Sequence, residues 1–278
     1  MSSLRPYINT IHSPFTPSRL IPFTPSIRVY LAGIRGLHVM QGFPVPIYSE
    51  RLQLALKGAQ KLSSPPDRKA PITFKILCQI FPLLEGRHNE MLLKSVMALA
   101  FFGCFRLGEL CLADGKPFIH TKHLCVNDIT LDERELCLTV HLKQSKTDVE
   151  NAGVNVFIGC SKDSLCCAYC SMKSYLKFRH CSPNHADTSP LFVVPGGAAL
   201  TKNYMISVTR LLLSMSGQDP SLFSGHSFRA GAATTAGDGR FREWELKMLG
   251  RWASPAYNLY LRNPKLTASF AQRLVTVD

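Results

Sequence analysis

Four residues near the C-terminal end of the sequence could together carry out chemistry on a phosphodiester. His226 and Arg229 lie three residues apart in the run Gly-His-Ser-Phe-Arg, which is the spacing of neighbours on one face of a helix. Trp252 and Tyr260 follow in the run Leu-Gly-Arg-Trp-Ala-Ser-Pro-Ala-Tyr-Asn-Leu-Tyr. An arginine can neutralise phosphate oxygens, and a tyrosine hydroxyl can attack phosphorus as a nucleophile. These residue types are the ones that phosphoryl transfer through a tyrosine requires.

Two further groups of charged residues lie in the middle of the chain. Arg106 and Glu109 are three residues apart in Gly-Cys-Phe-Arg-Leu-Gly-Glu-Leu, at the end of a long apolar segment that predicts a buried helix. A charge placed there should be paired or functional, because burying it alone is costly; a weak surface ion pair is the alternative. Lys143 and Lys146 lie in a polar connection between two predicted strands, and either lysine could reach a phosphate.

The net charge favours a polyanionic partner for this protein. The 278 residues include 32 Lys and Arg against 19 Asp and Glu, which gives a formal charge of +13. Nucleic acid is the usual partner of such an excess, although basic membrane-surface proteins exist and simple solubility is another explanation. The hydrophobic fraction of 46% indicates a folded chain. No apolar run reaches the ~18 residues of a membrane helix, and no secretory signal is apparent. We expect an intracellular protein without a membrane partner.

Local patterns predict a mainly α fold with one small three-stranded antiparallel sheet. Residues 1–25 are rich in Pro, Ser and Thr and predict an irregular segment, and residues 63–71 predict a linker because their prolines and charges oppose a helix. Apolar periodicity predicts helices over 27–40, 49–62, 73–84, 90–105, 168–178, 202–216, 227–237, 243–249 and 256–261. Alternation of apolar and polar residues predicts strands over 123–130, 135–142 and 154–158.

The charged residues and the tyrosine resemble, in type and in order, the motifs of the tyrosine recombinases (phage-integrase family). The spellings Gly-His-Ser-Phe-Arg-x-Gly-Ala-Ala-Thr-Thr and Leu-Gly-Arg-Trp-x-Ser-x-Ala-Tyr-x-x-Tyr look most like recombinases of eukaryotic mobile elements, the DIRS/Ngaro and Crypton types. The resemblance runs from about Ser26 to Arg262. It implies a helical core-binding domain that is only partial here, over residues 26–62, and a catalytic domain over residues 72–278. The matching positions are Arg106, Lys146, His226, Arg229, Trp252 and Tyr260.

The resemblance implies that three of these residues act directly on the scissile phosphate. Arg106 and Arg229 would bind its non-bridging oxygens and offset the charge that develops in the transition state. Tyr260 would attack phosphorus, leaving a 3′-phosphotyrosyl link and a free 5′-hydroxyl. Because an ordinary tyrosine has a pKa of about 10, it must lose a proton, and His226 is the candidate base. Tyr257 is the alternative nucleophile.

The other matching residues would have supporting roles. Lys146 would donate a proton to the leaving 5′-oxygen, and Lys143 is the alternative donor. Glu109 would orient His226 and Arg106, while Trp252 stands where many members have His and could donate its indole N–H. No cofactor or metal is expected, since two arginines and a lysine supply the positive field. The predicted contacts to double-stranded DNA are Arg28, Arg35, Lys143 and Arg251.

The resemblance implies an enzyme that exchanges DNA strands as a tetramer on two sites, in the nucleus if the source is eukaryotic. Four tyrosines are needed for pairwise exchange, which is the reason for expecting a tetramer. Two alternatives remain open at this point. The protein could be an inactive DNA-binding remnant of a mobile element, or it could relax supercoiled DNA in the manner of type IB topoisomerases.

The 10 cysteines predict core residues more than a metal site. In a reducing compartment, buried free cysteines behave as small apolar side chains. Cys167, Cys170, His180 and His185 could be written as a zinc finger. However, nine residues separate Cys170 from His180, where that module has about twelve. Five other cysteines fall inside apolar segments: Cys78, Cys104, Cys111, Cys125 and Cys137.

Overall fold

The structure, a computed structural model, describes residues 26–45, 49–62, 68–84, 88–144, 152–161, 165–180, 186–239 and 241–252. The chain divides into two compact units, Met1–Arg68 and Lys69–Asp278, and the boundary falls inside the segment predicted as a linker. Four residues that the sequence singled out lie outside the described residues: Lys146, His185, Tyr257 and Tyr260. The helix predicted over 256–261 lies outside them as well.

Within its described residues, the first unit contains two helices at the predicted positions, α1 (Ser26–Met40) and α2 (Glu50–Leu62). Every described side chain of these helices is at least partly exposed, and large apolar residues such as Tyr30 and Leu54 face solvent. These exposed apolar side chains lie on helices whose sequences are amphipathic.

The second unit is mainly helical, as the sequence predicts. It contains a large buried core to which α4 contributes more side chains than any other helix, and α4 packs against α6 and α8. Among the described residues, every helix is too short or too polar to cross a lipid bilayer. The helices among the described residues of this unit are α3 (Phe74–Ile80), α4 (His88–Phe102), α5 (Leu107–Leu110), α6 (Ala168–His180), α7 (Lys202–Met215), α8 (Ser227–Asp238) and α9 (Glu243–Gly250). Short 3-10 turns lie at Phe81–Leu83, Val126–Asp128 and Pro220–Leu222.

The predicted three-stranded antiparallel sheet is confirmed, in the order β1 (Ile129–Asp132), β2 (Cys137–Leu142) and β3 (Val154–Gly159). Leu138 pairs with Leu131 on one side and Ile158 on the other, so alternate residues of β2 face the core. The first strand begins later than predicted. The side chain of Asp128 accepts a hydrogen bond from the Cys125 amide at 2.7 Å, which closes a 3-10 turn instead of extending the strand.

Helix α8 is buried on nearly every side, and its composition explains how this is possible. Most of its residues are small, so neighbouring elements approach its backbone closely. A Cβ added to Gly231 would overlap the carbonyl oxygen of Ile72, well inside the 3.0 Å that real Cβ atoms keep. Two hydrogen bonds fix the same contact: the Ile72 amide donates to the Ser227 carbonyl at 2.9 Å, and the Phe74 amide donates to Thr235 Oγ1 at 3.1 Å. Residues 72–74 therefore hold α8 in a fixed position.

Candidate functional site

The chain turns sharply where α4 ends, and this turn creates the first part of the site. The helix predicted over 90–105 stops at Phe102, because Cys104 adopts a left-handed backbone conformation with φ of +50°. The Phe105 amide then donates to the Ala100 carbonyl at 3.1 Å, which closes the helix end. As a result, Arg106 does not continue α4 but becomes the N-cap of the short helix α5.

Arg106 and Glu109 are joined by two hydrogen bonds across the first turn of α5. The Arg106 amide donates to Glu109 Oε2 at 2.9 Å, and Arg106 Nη1 lies 2.7 Å from Glu109 Oε1. The side chain of Glu109 is 7% exposed and that of Arg106 is 23% exposed. The carboxylate is therefore held by the guanidinium of Arg106, which still reaches solvent.

Arg251 joins the same carboxylate from a distant part of the chain. Arg251 follows α9 in a left-handed conformation, and its Nη2 lies 3.3 Å from Glu109 Oε2. Its Nη1 donates to the Gly103 carbonyl at 2.8 Å, and its Cζ stands 4.8 Å from the centre of the Phe105 ring. Sequence reasoning assigned Arg251 only to DNA contact. The position of Arg251 directly before Trp252 could have indicated that it belongs to the site. Its partner Glu109 could not be found in this way, because it lies 142 residues away in the sequence.

Arg229 is the most deeply buried charged residue of this group, at 2% exposure. Its Nη1 donates to the Cys104 carbonyl at 2.7 Å, and its Nη2 donates to the Gly250 carbonyl. Its Cζ lies 4.7 Å from the centre of the Trp252 ring, an arrangement that adds cation–π attraction. The guanidinium therefore connects the turn after α4 to the end of α9.

Burial changes the acid–base properties of this cluster. It lowers the pKa of both Arg229 and Arg251, with the neighbouring arginines adding to the effect, yet a guanidinium stays charged in proteins. Burial also raises the pKa of the Cys104 thiol to about 11, so this thiol is neutral at ordinary pH. Within the described part of the chain, Glu109 pairs with Arg106 and Arg251, and Arg229 adds a third guanidinium charge that bonds the same Cys104 carbonyl as Arg251. Such an excess of positive charge suits an anion.

Trp252 lies over Arg229 because Gly250 leaves room for its ring. A Cβ on Gly250 would overlap the indole, so only glycine permits this arrangement. The ring is partly buried and packs against the small apolar cluster of Ala236 and Leu246. The structure thus brings Trp252 together with Arg229.

His226 is exposed at the N-cap of α8, one turn before the buried Arg229. The preceding Gly225 is buried, and a Cβ there would lie 3.7 Å from Leu107 Cδ1, which places this segment beside the start of α5. The two residues therefore leave α8 in different directions: His226 faces solvent, whereas Arg229 faces the core. The spacing of three residues brings them close in space without putting both on a solvent-facing surface.

Lys143 is held by an acidic partner. Its Nζ lies 2.6 Å from Asp128 Oδ2 and donates to the His120 carbonyl at 2.7 Å. Burial opposes protonation of this amine, but the hydrogen bonds with Asp128 and Cys125 outweigh it and raise the pKa of Lys143. Lys143 and Arg106 both line a cavity of about 490 Å³, together with Glu109 and Lys122. The cavity wall therefore carries more cationic than anionic groups.

The remaining predicted DNA contacts lie in the first unit, on α1. Arg35 is exposed there, and Arg28 belongs to the same helix, although its side chain lies outside the described residues. Lys146 and Tyr260 also lie outside them, so the predicted proton donor and nucleophile remain predictions.

The fold is similar to that of several solved DNA recombinases. A XerA recombinase has 16% identity and a TM-score of 0.53, with 90% of this chain and 82% of that chain covered. The Tn1549 transposon integrase, solved in complex with transposon right end DNA, has 14% identity and a TM-score of 0.59, with 91% and 79% covered. XerH site-specific recombinase bound to difH substrate has 17% identity and a TM-score of 0.52, with 87% and 68% covered.

These comparisons establish the fold of the chain. It is the mainly helical tyrosine-recombinase fold with one small three-stranded antiparallel sheet, as the sequence predicts. No protein-family model matches the sequence, and no curated protein matches it significantly.

Proposed function

We propose that the protein is a site-specific DNA recombinase that cuts and rejoins DNA through a tyrosine. The observation that carries this proposal is the cluster of Arg106, Glu109, Arg229 and Arg251, which three separate segments bring together within a tyrosine-recombinase fold. A cluster with more guanidinium than carboxylate charge fits a phosphodiester, which carries one negative charge and accepts bidentate hydrogen bonds. Fold alone does not define function, but fold and cluster together support the same chemistry.

In the proposed reaction, Tyr260 Oη forms a bond to phosphorus while the bond from phosphorus to the 5′-oxygen breaks. His226 accepts the tyrosine proton, and Lys146 gives a proton to the leaving 5′-oxygen. Arg106, which is partly exposed at the cavity, binds a non-bridging oxygen. Arg229 exchanges its hydrogen bond to the Gly250 carbonyl for a phosphate oxygen when DNA enters. Attack by a second 5′-hydroxyl then releases Tyr260 and joins the new strand.

The proposed partner is double-stranded DNA, with Arg28, Arg35 and Lys143 among the contacts. The net charge of +13 and the DNA-bound states of the XerH and Tn1549 structures support this partner. We further propose that four copies act on two DNA sites, since each copy supplies one tyrosine. The motif spellings support an origin in a eukaryotic mobile element, and such an enzyme would act in the nucleus.

The test is covalent trapping on DNA that carries a nick near the cleavage site, so that the cut fragment diffuses away. The wild-type protein should form an adduct that survives denaturing electrophoresis, and Tyr260→Phe should form none. Tyr257→Phe is the matched control and should keep the adduct. If Tyr257→Phe abolishes the adduct and Tyr260→Phe does not, the nucleophile is misassigned. If no DNA yields an adduct, the recombinase proposal fails.

A DNA-binding protein without catalysis is the second candidate, and the deep burial of Arg229 favours it. In the described arrangement both terminal nitrogens of this arginine bond main-chain carbonyls instead of facing solvent. This candidate predicts salt-dependent DNA binding with no adduct on any substrate. Relaxation of supercoiled DNA without a defined site would instead indicate topoisomerase-like activity, so a plasmid relaxation assay separates that outcome from site-dependent joining.

A further inference from the structure

Three cysteine thiols meet where the sheet joins α6, in a group separate from the arginine cluster. Cys160 directly follows β3, Cys167 directly precedes α6, and Cys170 lies in the first turn of that helix. Cys160 Sγ lies 3.6 Å from Cys167 Sγ and 3.7 Å from Cys170 Sγ. All three sulfur atoms lie within 4.8 Å of one another. The fold therefore assembles three soft ligand atoms from two different elements.

These distances match the sulfur spacing around a tetrahedral zinc ion. Zinc–sulfur bonds are about 2.3 Å long, which places two sulfurs of a tetrahedron about 3.8 Å apart. A disulfide, in contrast, requires sulfur atoms about 2.05 Å apart. The three cysteines form no disulfide in the structure, and their separation suits a shared metal better than a covalent bond.

The surroundings also favour a thiolate at Cys167. The Cys170 amide donates to Cys167 Sγ at 3.4 Å, and the positive end of the α6 dipole lies at the same position. Cys167 is buried, Cys160 is half-buried and Cys170 is exposed. One side of the group therefore reaches solvent, where a water molecule could complete a tetrahedron.

We propose that Cys160, Cys167 and Cys170 bind one Zn²⁺ ion as thiolates, with water as the fourth ligand. The ion would tie the end of β3 to the start of α6 and so stabilise the junction of sheet and helix. This ligand set differs from the zinc finger that the sequence suggested, which combined Cys167 and Cys170 with His180 and His185. Cys170 and His180 lie ten residues apart along α6, a separation of about 15 Å, so the two cannot share an ion.

The full-length protein, purified without chelator, tests this proposal by metal analysis. Wild-type protein should contain about one zinc per chain, as expected for a single site. Cys160→Ser and Cys170→Ser should each reduce the bound zinc at least tenfold. Cys137→Ser is the matched control, because Cys137 is a similarly half-buried thiol on β2 outside the group, and it should keep full zinc. His180→Asn should also keep full zinc.

Cobalt provides a second measurement that does not depend on any variant folding. Added to metal-free wild-type protein, Co²⁺ should produce thiolate-to-cobalt charge-transfer absorption of an intensity expected for three thiolates, and Zn²⁺ should abolish it. The proposal would be overturned by wild-type protein that binds neither metal, by serine variants that keep their zinc, or by a disulfide among the three cysteines in freshly purified protein. Loss of zinc in His180→Asn would also overturn it.

Discussion

Arg106 and Arg229 belong to one cluster, but the regions around them are built differently. Arg106 caps a four-residue helix beside a cavity, and its side chain keeps contact with solvent. Arg229 belongs to a helix that is buried almost throughout, and its terminal nitrogens bond main-chain carbonyls. The same residue type thus serves an open region that can accept a ligand and a closed region that holds the scaffold together. The substitutions below test this contrast.

The largest difference in the free energy of unfolding should appear when a glycine is replaced by alanine in each region, as Gly231→Ala in the closed region and as Gly108→Ala in the open region. An alanine at position 231 would overlap the Ile72 carbonyl, so we expect a loss of about 3 kcal/mol or more in the free energy of unfolding. Gly108 has nothing within 4 Å of an added Cβ, so alanine should leave stability unchanged or raise it by up to about 1 kcal/mol. Urea unfolding of both variants is the measurement, and equal effects would refute the contrast.

The next largest effect on the free energy of unfolding should come from substitution of the two arginines, and it should differ between them. Arg229→Lys should lower the free energy of unfolding by about 3 kcal/mol, because an ammonium cannot reach both carbonyls at once and leaves charge buried. Arg106→Lys should cost about 1 kcal/mol or less, since its ion pair is partly exposed. Under the proposed function both variants should lose adduct formation. A stable, inactive Arg229→Lys protein would show that Arg229 acts mainly on the ligand.

High pH should lower the free energy of unfolding, because the Cys104 thiol in the closed region then ionises. Its pKa is about 11 in the folded protein and 9.0 as the ordinary value, because burial disfavours the thiolate. The folded state therefore holds the thiol proton more tightly than the unfolded state. This stabilisation is complete below pH 9 and is lost as pH rises towards 11, at about 1.4 kcal/mol per pH unit where steepest.

Replacing Cys104 with alanine should make the free energy of unfolding less dependent on pH in this range. Urea unfolding at pH 8 to 11 would measure this dependence. The matched control is Cys137→Ser, a substitution outside the closed region, and it should retain the wild-type slope. An unchanged slope in Cys104→Ala would mean that the thiol titrates alike in the folded and unfolded states.

The smallest effect should come from Trp252→Leu, which removes an aromatic ring from above Arg229. A cation–π contact at this burial contributes about 1 to 2 kcal/mol, and leucine replaces part of the lost apolar contact. We expect a loss of about 1 kcal/mol in urea unfolding. Combined with Arg229→Met, the substitution should cost less than the sum of the two single effects, because the contact is already gone. Strict additivity would show that the ring and the guanidinium do not interact.

Much of the fold could be read from local sequence patterns. Helices α1, α2, α7 and α8 were predicted to within one or two residues at each end, because caps and apolar periodicity act over short distances. The end of α4 was missed by three residues. The run Gly-Cys-Phe-Arg does not predict a left-handed conformation at Cys104. Glycine favours this conformation, so the sequence would place it at Gly103 instead.

The candidate site was only partly predictable for a different reason. The residue types Arg106, Glu109 and Arg229 were found from their motifs, but the involvement of Arg251 depends on a carboxylate 142 residues away. The same holds for the cysteines. The sequence grouped Cys167 and Cys170 with two histidines downstream, whereas the structure groups them with Cys160, which directly follows β3.

The sequence by itself determined the types of side chain available, the mainly helical architecture and the basic charge that favours a polyanion. Those properties follow from composition and from local preference, which act within a few residues. The tertiary structure decided which arginine faces solvent, which one is buried, and which three thiols meet. These outcomes depend on close packing between distant segments, such as Gly231 against Ile72 and Trp252 over Arg229. Such contacts have no local signature, so only the folded chain reveals them.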